Sequence, residues 1–137
     1  MTSTTAVFTP AELAYLADQP LGRLGTVGPQ GDPQVRPVGF FVDAETGTID
    51  VGGHRMTATQ KFRNVAAGGR VSLVVDDLAS RNPWTPRALE VRGTAEALPD
   101  ADPPMPGFGR GVIRIHPRRI LAYGIEEGGP GTRSVMG

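Results

Sequence analysis

Apolar residues near the start of the chain recur at a helical spacing. Leu13, Leu16 and Ala17 form one apolar stripe, as expected for the buried face of an amphipathic helix. Just upstream, Thr9-Pro10-Ala11-Glu12 has the capping-box pattern, with proline at the first helical position. The pattern therefore predicts a helix that begins after Thr9 and ends before Pro20.

A second helix is predicted in the middle of the chain. Thr57-Ala58-Thr59-Gln60 again has capping-box spacing. Phe62, Val65 and Ala66 supply a buried stripe, and Gly68-Gly69 is a typical helix end.

Most of the remaining chain consists of short apolar runs separated by turn residues. Leu89, Val91 and Ala95 alternate with polar residues, which is typical of a half-buried antiparallel strand. Pro37 interrupts another run and cannot donate to a ladder, so an edge or a bulge is expected there. The predicted strands are residues 23–27, 34–42, 48–51, 70–76, 88–98, 112–115 and 120–125, with a break at His116-Pro117.

The remaining segments are predicted to lack regular structure. Residues 80–87 and 99–111 are rich in proline or glycine, and residues from about 126 to 137 are expected to form a mobile tail. About six short strands and two helices, without regular β–α alternation, predict a single mainly β domain over residues 1–137. Its expected architecture is an antiparallel barrel with helical decoration.

Composition narrows the functional classes. The 137 residues carry 14 basic and 14 acidic side chains, a balance that argues against a nucleic-acid or membrane-surface protein. No cysteine is present, which excludes disulfides, thiol catalysis and thiolate metal sites. No signal peptide is visible, and no apolar run approaches the roughly 18 residues of a membrane span. A cytoplasmic location is expected.

The segment from Gly52 to Arg63 is the best local candidate for a binding site. It runs from a strand end, through glycines, to the start of the second helix. Free N–H groups and the positive end of the helix dipole favour an anion there. Arg55 and Lys61, the only lysine of the chain, lie in the same segment. A phosphate site is one interpretation, and an ordinary solvated helix start is the other.

Other polar residues give weaker signals. His54 and His116 are far apart and lack a carboxylate at metal-ligand spacing, so no metal site is predicted. Asp76-Asp77 is interpreted as a solvated turn rather than an acid–base pair. Trp84, between two prolines, is either a packing residue or a lid that stacks on a ligand.

Four parts of the chain have a pattern typical of a known family. They are Leu24-Gly25-Thr26-Val27 with residues 31–38, residues 51–54 and 61–65 leading into 70–74, Glu90-Val91-Arg92-Gly93-Thr94-Ala95-Glu96, and Ile113-Arg114-Ile115-His116-Pro117. These stretches resemble the pyridoxamine 5'-phosphate oxidase-like, FMN-binding split β-barrel superfamily, in particular its deazaflavin (F420)-dependent branch. Residues 76–78 and 83–87 further resemble the subgroup that contains a reductase acting late in tetracycline biosynthesis.

The resemblance implies a six-stranded antiparallel split β-barrel that forms a homodimer, with a cofactor in the groove between the subunits. In such proteins the strand matching Arg36, Pro37 and Val38 runs along the tricyclic ring of the cofactor. The residues that match the part holding the phosphate-bearing tail are Gly53, His54, Arg55, Thr59, Lys61 and Asn64.

The activity implied is transfer of a hydride from reduced F420 to an electron-poor double bond of a small organic substrate. The cofactor carries the chemistry, so no catalytic residue is assigned, and Trp84 is expected to contact substrate or cofactor from its own or the partner subunit. Arg55 and Arg63 favour the longer anionic tail of F420 over that of FMN. Two alternatives stay open: an FMN-binding oxidase or flavin reductase, and a non-catalytic carrier of flavin, deazaflavin or haem.

Overall fold

The computed structural model describes residues 6–135, which form one antiparallel sheet with two helices packed on it. A short 3-10 turn, Met56–Ala58, precedes the second helix. The helices are α1 (Pro10–Asp18) and α2 (Gln60–Gly68), and the strands are β1 (Gly22–Val27), β2 (Pro33–Val38), β3 (Phe41–Val42), β4 (Ile49–Val51), β5 (Arg70–Arg81), β6 (Trp84–Leu98), β7 (Val112–Tyr123) and β8 (Arg133–Ser134).

The sheet curls into a partly open barrel. Its strand order is β2-β1-β5-β6-β7-β4-β3, with β8 paired to β7. The two end strands, β2 and β3, are joined only by Gly39 and Phe40, a link that spans at most about 11 Å. The ends of the sheet must therefore approach each other. This confirms the predicted split barrel, and β2 lies at the sheet edge, as Pro37 predicts. Eight strands are present instead of six, because the predicted strand 34–42 is divided into β2 and β3 and because β8 lies in the predicted tail.

The barrel interior holds the core. Leu24, Leu73, Val91, Ile113 and Ile115 are at most 1% exposed. They occupy alternate positions on neighbouring strands, so they share the inner face of the sheet.

In each helix, one residue of the predicted buried stripe is exposed: Ala17 in α1 and Ala66 in α2. In α1, Leu16 and Tyr15 are buried while Ala17 is exposed. In α2, Phe62 and Val65 are buried as predicted.

The start of α2 differs from the prediction. Thr57 was predicted as its cap, but Thr57 lies within the 3-10 turn. The cap is Thr59, and the helix begins at Gln60. The hydroxyl oxygen of Thr59 caps α2 by accepting from the Phe62 N–H at 3.3 Å. Gly69, with φ of 70°, ends the helix as predicted. Ala66 is exposed, and Asn64 is buried instead.

The C-terminal segment also differs from the prediction. Where a mobile tail was predicted, Arg133 of β8 pairs across from Ile120 of β7. The Arg133 guanidinium donates to both carboxylate oxygens of Glu12, at 2.5 and 3.0 Å. Glu12 is 1% exposed and also completes the predicted capping box of α1. Residues 136–137 of the expected tail lie outside the described residues.

The segment predicted as a loop at residues 80–87 is paired instead. Strands β5 and β6 continue to a hairpin turn at Asn82-Pro83. Residues 77–87 pair only with each other and form a two-stranded arm beyond the barrel. At its base, Asp77 accepts from the Tyr15 hydroxyl at 2.8 Å and from Arg87. Asp77 is therefore part of an ion pair, not of a solvated turn.

Strand β7 also passes through its predicted break. His116 and Pro117 remain paired with β6, and the register shifts at that point, which leaves Arg118 without a partner on β6, as a bulge. A Cβ added to Gly93 would lie 2.1 Å from the carbonyl oxygen of His116. The missing side chain of Gly93 therefore allows the bulge that accommodates the proline.

Candidate functional site

A cavity of about 580 Å³ lies between the start of α2 and the edge strand β2. We call it the α2 cavity. Its lining contains two cations and four neutral polar side chains, with no carboxylate and no imidazole. The lining residues are Thr26, Gln34, Arg36, Thr59, Gln60 and Lys61.

Local structure places both sides of the cavity. Successive residues of β2 point to opposite faces, so Gln34 and Arg36 point to the same face as Val38, whose side chain is buried in the core. Val35 points to the other face and is 66% exposed. On the opposite side, the first N–H groups of α2, including that of Lys61, have no acceptor within the helix.

Asn64 fixes the polar wall behind the cavity. Its amide nitrogen donates to Thr26 Oγ1 at 3.0 Å and to Gln34 Oε1 at 2.9 Å. Its amide oxygen accepts from Gln60 Nε2 at 2.7 Å. Asn64 is one of the residues predicted to bind the cofactor; it is 5% exposed. Its hydrogen bonds with Gln34 and Gln60 link two residues of the lining.

The cavity is electrostatically unbalanced. Burial, and then the positive charge of Arg36, lower the pKa of Lys61 below its ordinary value of 10.5. Within residues 6–135, neither cation forms an ion pair with a carboxylate. A bound anion would offset the repulsion between them. The charge of the cavity therefore fits the phosphate group of a flavin or deazaflavin tail.

Three residues predicted for the tail lie outside this cavity. The carbonyl oxygen of Gly53 accepts from the Gly109 N–H at 3.1 Å. The His54 ring packs edge-on against Phe108, with 5.5 Å between centroids. Arg55 is exposed at the start of the 3-10 turn.

The predicted ring residues share one strand but not one face. Arg36 lines the α2 cavity, whereas Pro37 is exposed on the outer face and the Val38 side chain is buried in the core. Only the backbone of Val38 can therefore face a ligand at the sheet edge.

Trp84 lies far from the cavity of its own chain. It is the first residue of β6, at the tip of the arm, and is 69% exposed. It pairs with Arg81, whereas Thr26 of the cavity pairs with Val71. Ten residues of extended strand separate these two positions on β5, a length of about 33 Å. Measured along β5, Trp84 and the α2 cavity therefore lie at opposite ends of the strand.

A second cavity, of about 860 Å³, lies on the outer face of the sheet and is named here the outer hollow. No sequence pattern predicted this cavity. The only local signals were the small residues Gly25 and Ser72, which become neighbours when β1 pairs with β5. The lining residues are Gly25, Thr26, Val27, Pro33, Gln34, Val35, Arg70, Val71, Ser72, Arg92, Gly93, Thr94 and Arg118.

Two further observations limit the kinds of site. Within residues 6–135, no group of three or more His, Cys, Asp or Glu side chains could hold a metal ion. No helix in that range is long and apolar enough to span a membrane.

Comparison with known proteins identifies the family. Residues 8–123 match the family model described as pyridoxamine 5'-phosphate oxidase. A 5a,11a-dehydrotetracycline/5a,11a-dehydrooxytetracycline reductase from Streptomyces rimosus subsp. rimosus is 48% identical over 120 residues, covering 87% of this chain and 84% of that protein.

Solved structures agree with this match. A structure of an F420 reductase superposes with a TM-score of 0.59 at 30% identity, covering 77% of this chain and 93% of that one. A conserved hypothetical protein from Mycobacterium tuberculosis shares the fold, with a TM-score of 0.66 at 22% identity over 100% of this chain and 98% of that one. The chain therefore belongs to the pyridoxamine 5'-phosphate oxidase family, in the branch that contains F420 reductases.

Proposed function

We propose that this chain is an F420-dependent oxidoreductase that transfers a hydride from the reduced deazaflavin to an electron-poor double bond of a small organic substrate. The observation that carries the proposal is the pair of cations, Arg36 and Lys61, in a cavity whose lining has no acidic residue. The relative that is 48% identical is named a reductase, and an F420 reductase has the same fold.

The phosphate-bearing tail would occupy the α2 cavity. Lys61 and Arg36 supply positive charge, the Thr59 side chain lies at the helix start, and the free N–H groups of the first turn point to the same region. The volume of about 580 Å³ lies within the usual range for small-molecule sites, about 300–1,000 Å³.

The tricyclic ring would lie along β2. As an edge strand, β2 has backbone N–H and C=O groups that face away from β1 and lack a strand partner. These groups suit the amide-like donors and acceptors at one edge of a flavin or deazaflavin ring. Arg36, Pro37 and Val38 would contribute through this backbone, although Pro37 has no N–H to donate.

When bound, the reduced deazaflavin supplies the hydride. The protein's part is to bind, to orient and to exclude water. The α2 cavity contains no carboxyl or imidazole group, so its lining does not provide a dedicated proton donor or acceptor. This arrangement is consistent with an enzyme that assigns its chemistry to the coenzyme.

A homodimer would complete the site. Val27 and Val35 are 49% and 66% exposed on the outer face beside β2, and a second copy of the chain would face them across a groove and supply its opposite wall. Trp84, about 33 Å along the sheet from its own α2 cavity, would then contact ligand in the partner subunit. We propose both features together because each explains an exposed apolar side chain.

Fluorescence titration of the pure protein with F420 and with FMN, at one fixed salt concentration, tests the proposal. We expect F420 to bind at least several-fold more tightly, because its longer anionic tail can extend from Lys61 towards Arg55. The guanidinium of Arg63 is engaged with Ala58 O and Gln60 Oε1, each at 3.0 Å, so it is not needed for this preference.

Equal or tighter binding of FMN would favour the flavin alternative. Tight F420 binding without oxidation of the reduced coenzyme by any electron-poor acceptor would favour a carrier.

A further inference from the structure

The outer hollow is a built feature of the sheet. Gly25 of β1 lies directly beside Ser72 of β5, so two adjacent strands present almost no side-chain volume at the same level. Val27 and Val35 form an apolar rim beside this floor. The hollow is therefore a shallow, partly apolar site on the face opposite to the α2 cavity.

The other side of the outer hollow is positively charged. Arg70, Arg92 and Arg118 line it, and its lining contains no Asp or Glu. Glu90 neutralises Arg92 through a contact of 2.7 Å. In the described part of the chain, Arg70 and Arg118 form no ion pair. Two uncompensated guanidinium groups thus border an apolar floor.

We infer that the outer hollow binds the substrate, and that the substrate is a flat, largely apolar molecule carrying an ionised acidic group such as a carboxylate or an enolate. Its apolar part would lie on Gly25 and against Val35. Its anionic group would contact Arg70 and Arg118, since guanidinium groups bind planar anions through charge-assisted hydrogen bonds.

The position of the outer hollow suits a substrate site, and this step rests on the proposed function. The α2 cavity and the outer hollow lie on opposite faces of the β1–β2 hairpin, and Thr26 and Gln34 line both. A ring bound along the edge of β2 would lie between them. Tail, ring and substrate would then follow one continuous path around the edge strand.

Two dyes of the same skeleton test the charge preference. Anilinonaphthalene sulfonate is an aromatic anion, and phenylnaphthylamine is its neutral counterpart. We expect the R70Q/R118Q double variant to bind the sulfonate dye about tenfold more weakly than the wild-type protein, because charge-assisted contacts are lost. Binding of the neutral dye should stay nearly constant. R110Q, at an exposed arginine of the loop before β7, is the matched control and should bind both dyes as the wild-type protein does.

A steric variant tests the place. A Cβ at Gly25 would be 3.5 Å from its nearest neighbour, the carbonyl oxygen of Ser72, so the strand accommodates G25L while its side chain fills the hollow. We expect G25L to lose most binding of both dyes and to keep its affinity for F420. Thermal unfolding of G25L, compared with the wild-type protein, checks its fold.

Several results would overturn the inference. These are equal affinity of the wild-type protein for the two dyes, unchanged sulfonate binding in R70Q/R118Q, and a loss of F420 affinity in G25L as large as the loss of dye affinity. The last result would assign the outer hollow to the coenzyme ring and leave the proposed function standing. Failure of the wild-type protein to bind F420 would instead refute the proposed function, and with it the assignment of the hollow to a substrate.

Discussion

At the scale of single residues, Lys61 shows how a binding group is held at a cost to the unliganded protein. The side chain is half-buried, and it shares the α2 cavity with Arg36. Burial and the charge of Arg36 together lower the pKa of Lys61. The charged form is therefore less favourable in the folded chain than in the unfolded one, and a bound anion would reverse this.

A pH series of unfolding measurements tests this reading of Lys61. Because the pKa of Lys61 is lower in the folded chain than its ordinary value of 10.5, the folded chain loses this proton first as the pH rises. The contribution of Lys61 to the free energy of unfolding should therefore increase as the pH rises through the alkaline range just below that value.

The K61M variant keeps the aliphatic stem and should lack this alkaline gain. Urea unfolding of both proteins across that range measures it. The same dependence on pH in the two proteins would show that the folded chain does not lower the pKa of Lys61.

The candidate site was only partly predictable from the sequence. Lys61 and Thr59 could be found because a helix start is a local pattern. Gln34 could not, since its place in the lining depends on the pairing of β2 with β1 and on the hydrogen bond from Asn64. His54 is close to Lys61 in sequence, but the 3-10 turn between them separates His54 from the α2 cavity.

At the scale of secondary-structure elements, the bulge between β6 and β7 is an exception to the rule that a proline ends a strand. His116-Pro117 suggested the end of a strand, but the bulge opposite Gly93 lets β7 continue. The carbonyl oxygen of His116 lies where a Cβ of residue 93 would be. Such a compensation between strands distant in sequence has no signature in the sequence of either strand.

Two glycine-to-alanine variants test the bulge. G93A should lower the free energy of unfolding by about 3 kcal/mol, because a backbone must shift to remove the clash. G68A, in the last turn of α2, meets nothing within 4 Å and should raise it by about 0.5–1 kcal/mol, since alanine favours the helix. Urea unfolding compares them. Equal small effects of both variants would contradict the described geometry of the bulge.

The link between β8 and α1 explains why the tail prediction was wrong. Arg133 contacts Glu12 across 121 positions of sequence, and no local pattern near residue 133 announces such a partner. The R133M variant would leave the buried Glu12 carboxylate without its cation, and we expect a loss of about 3 kcal/mol in the free energy of unfolding.

R119M is the matched control for R133M. Arg119 belongs to the same strand pair, but it is exposed. Its loss should change stability by less than about 0.5 kcal/mol. Comparable destabilisation by the two variants in urea unfolding would argue against a stabilising role for the contact between Arg133 and Glu12.

At the scale of the whole molecule, the barrel was predictable because alternation and turn chemistry repeat along most of the chain. The arm was not, since its prolines are unfavourable for strands in general. Pro86 is tolerated there because residues 77–87 pair on one side only. The outer hollow likewise arises only from the assembled sheet, where Gly25 meets Ser72.

The proposed homodimer can be measured directly. Light scattering at micromolar concentration should give a mass of twice 14.4 kDa. V35D should weaken the dimer, because Val35 is 66% exposed in the single chain and a charge there would lie in the apolar groove that the partner closes. M105D, at a residue 47% exposed on another surface, should remain dimeric. A wild-type monomer, with and without F420, would refute the proposal.

The most direct test of the phosphate site is a binding cycle with two ligands. One is F420, and the other is the deazaflavin that carries only the ribityl chain and lacks the phosphate-bearing tail. K61A should weaken F420 binding by about tenfold or more, the effect of one charge-assisted contact. It should leave the tail-less ligand within about twofold, because that ligand has no phosphate to contact.

R63A is the matched control on the same helix, since Arg63 is not among the residues that line the α2 cavity, and its guanidinium donates to Ala58 O and Gln60 Oε1. It should change neither affinity. The expected result is therefore a loss that requires both the lysine and the phosphate. An equal loss for both ligands in K61A, or unchanged affinity for F420, would mean that the tail does not bind at the start of α2.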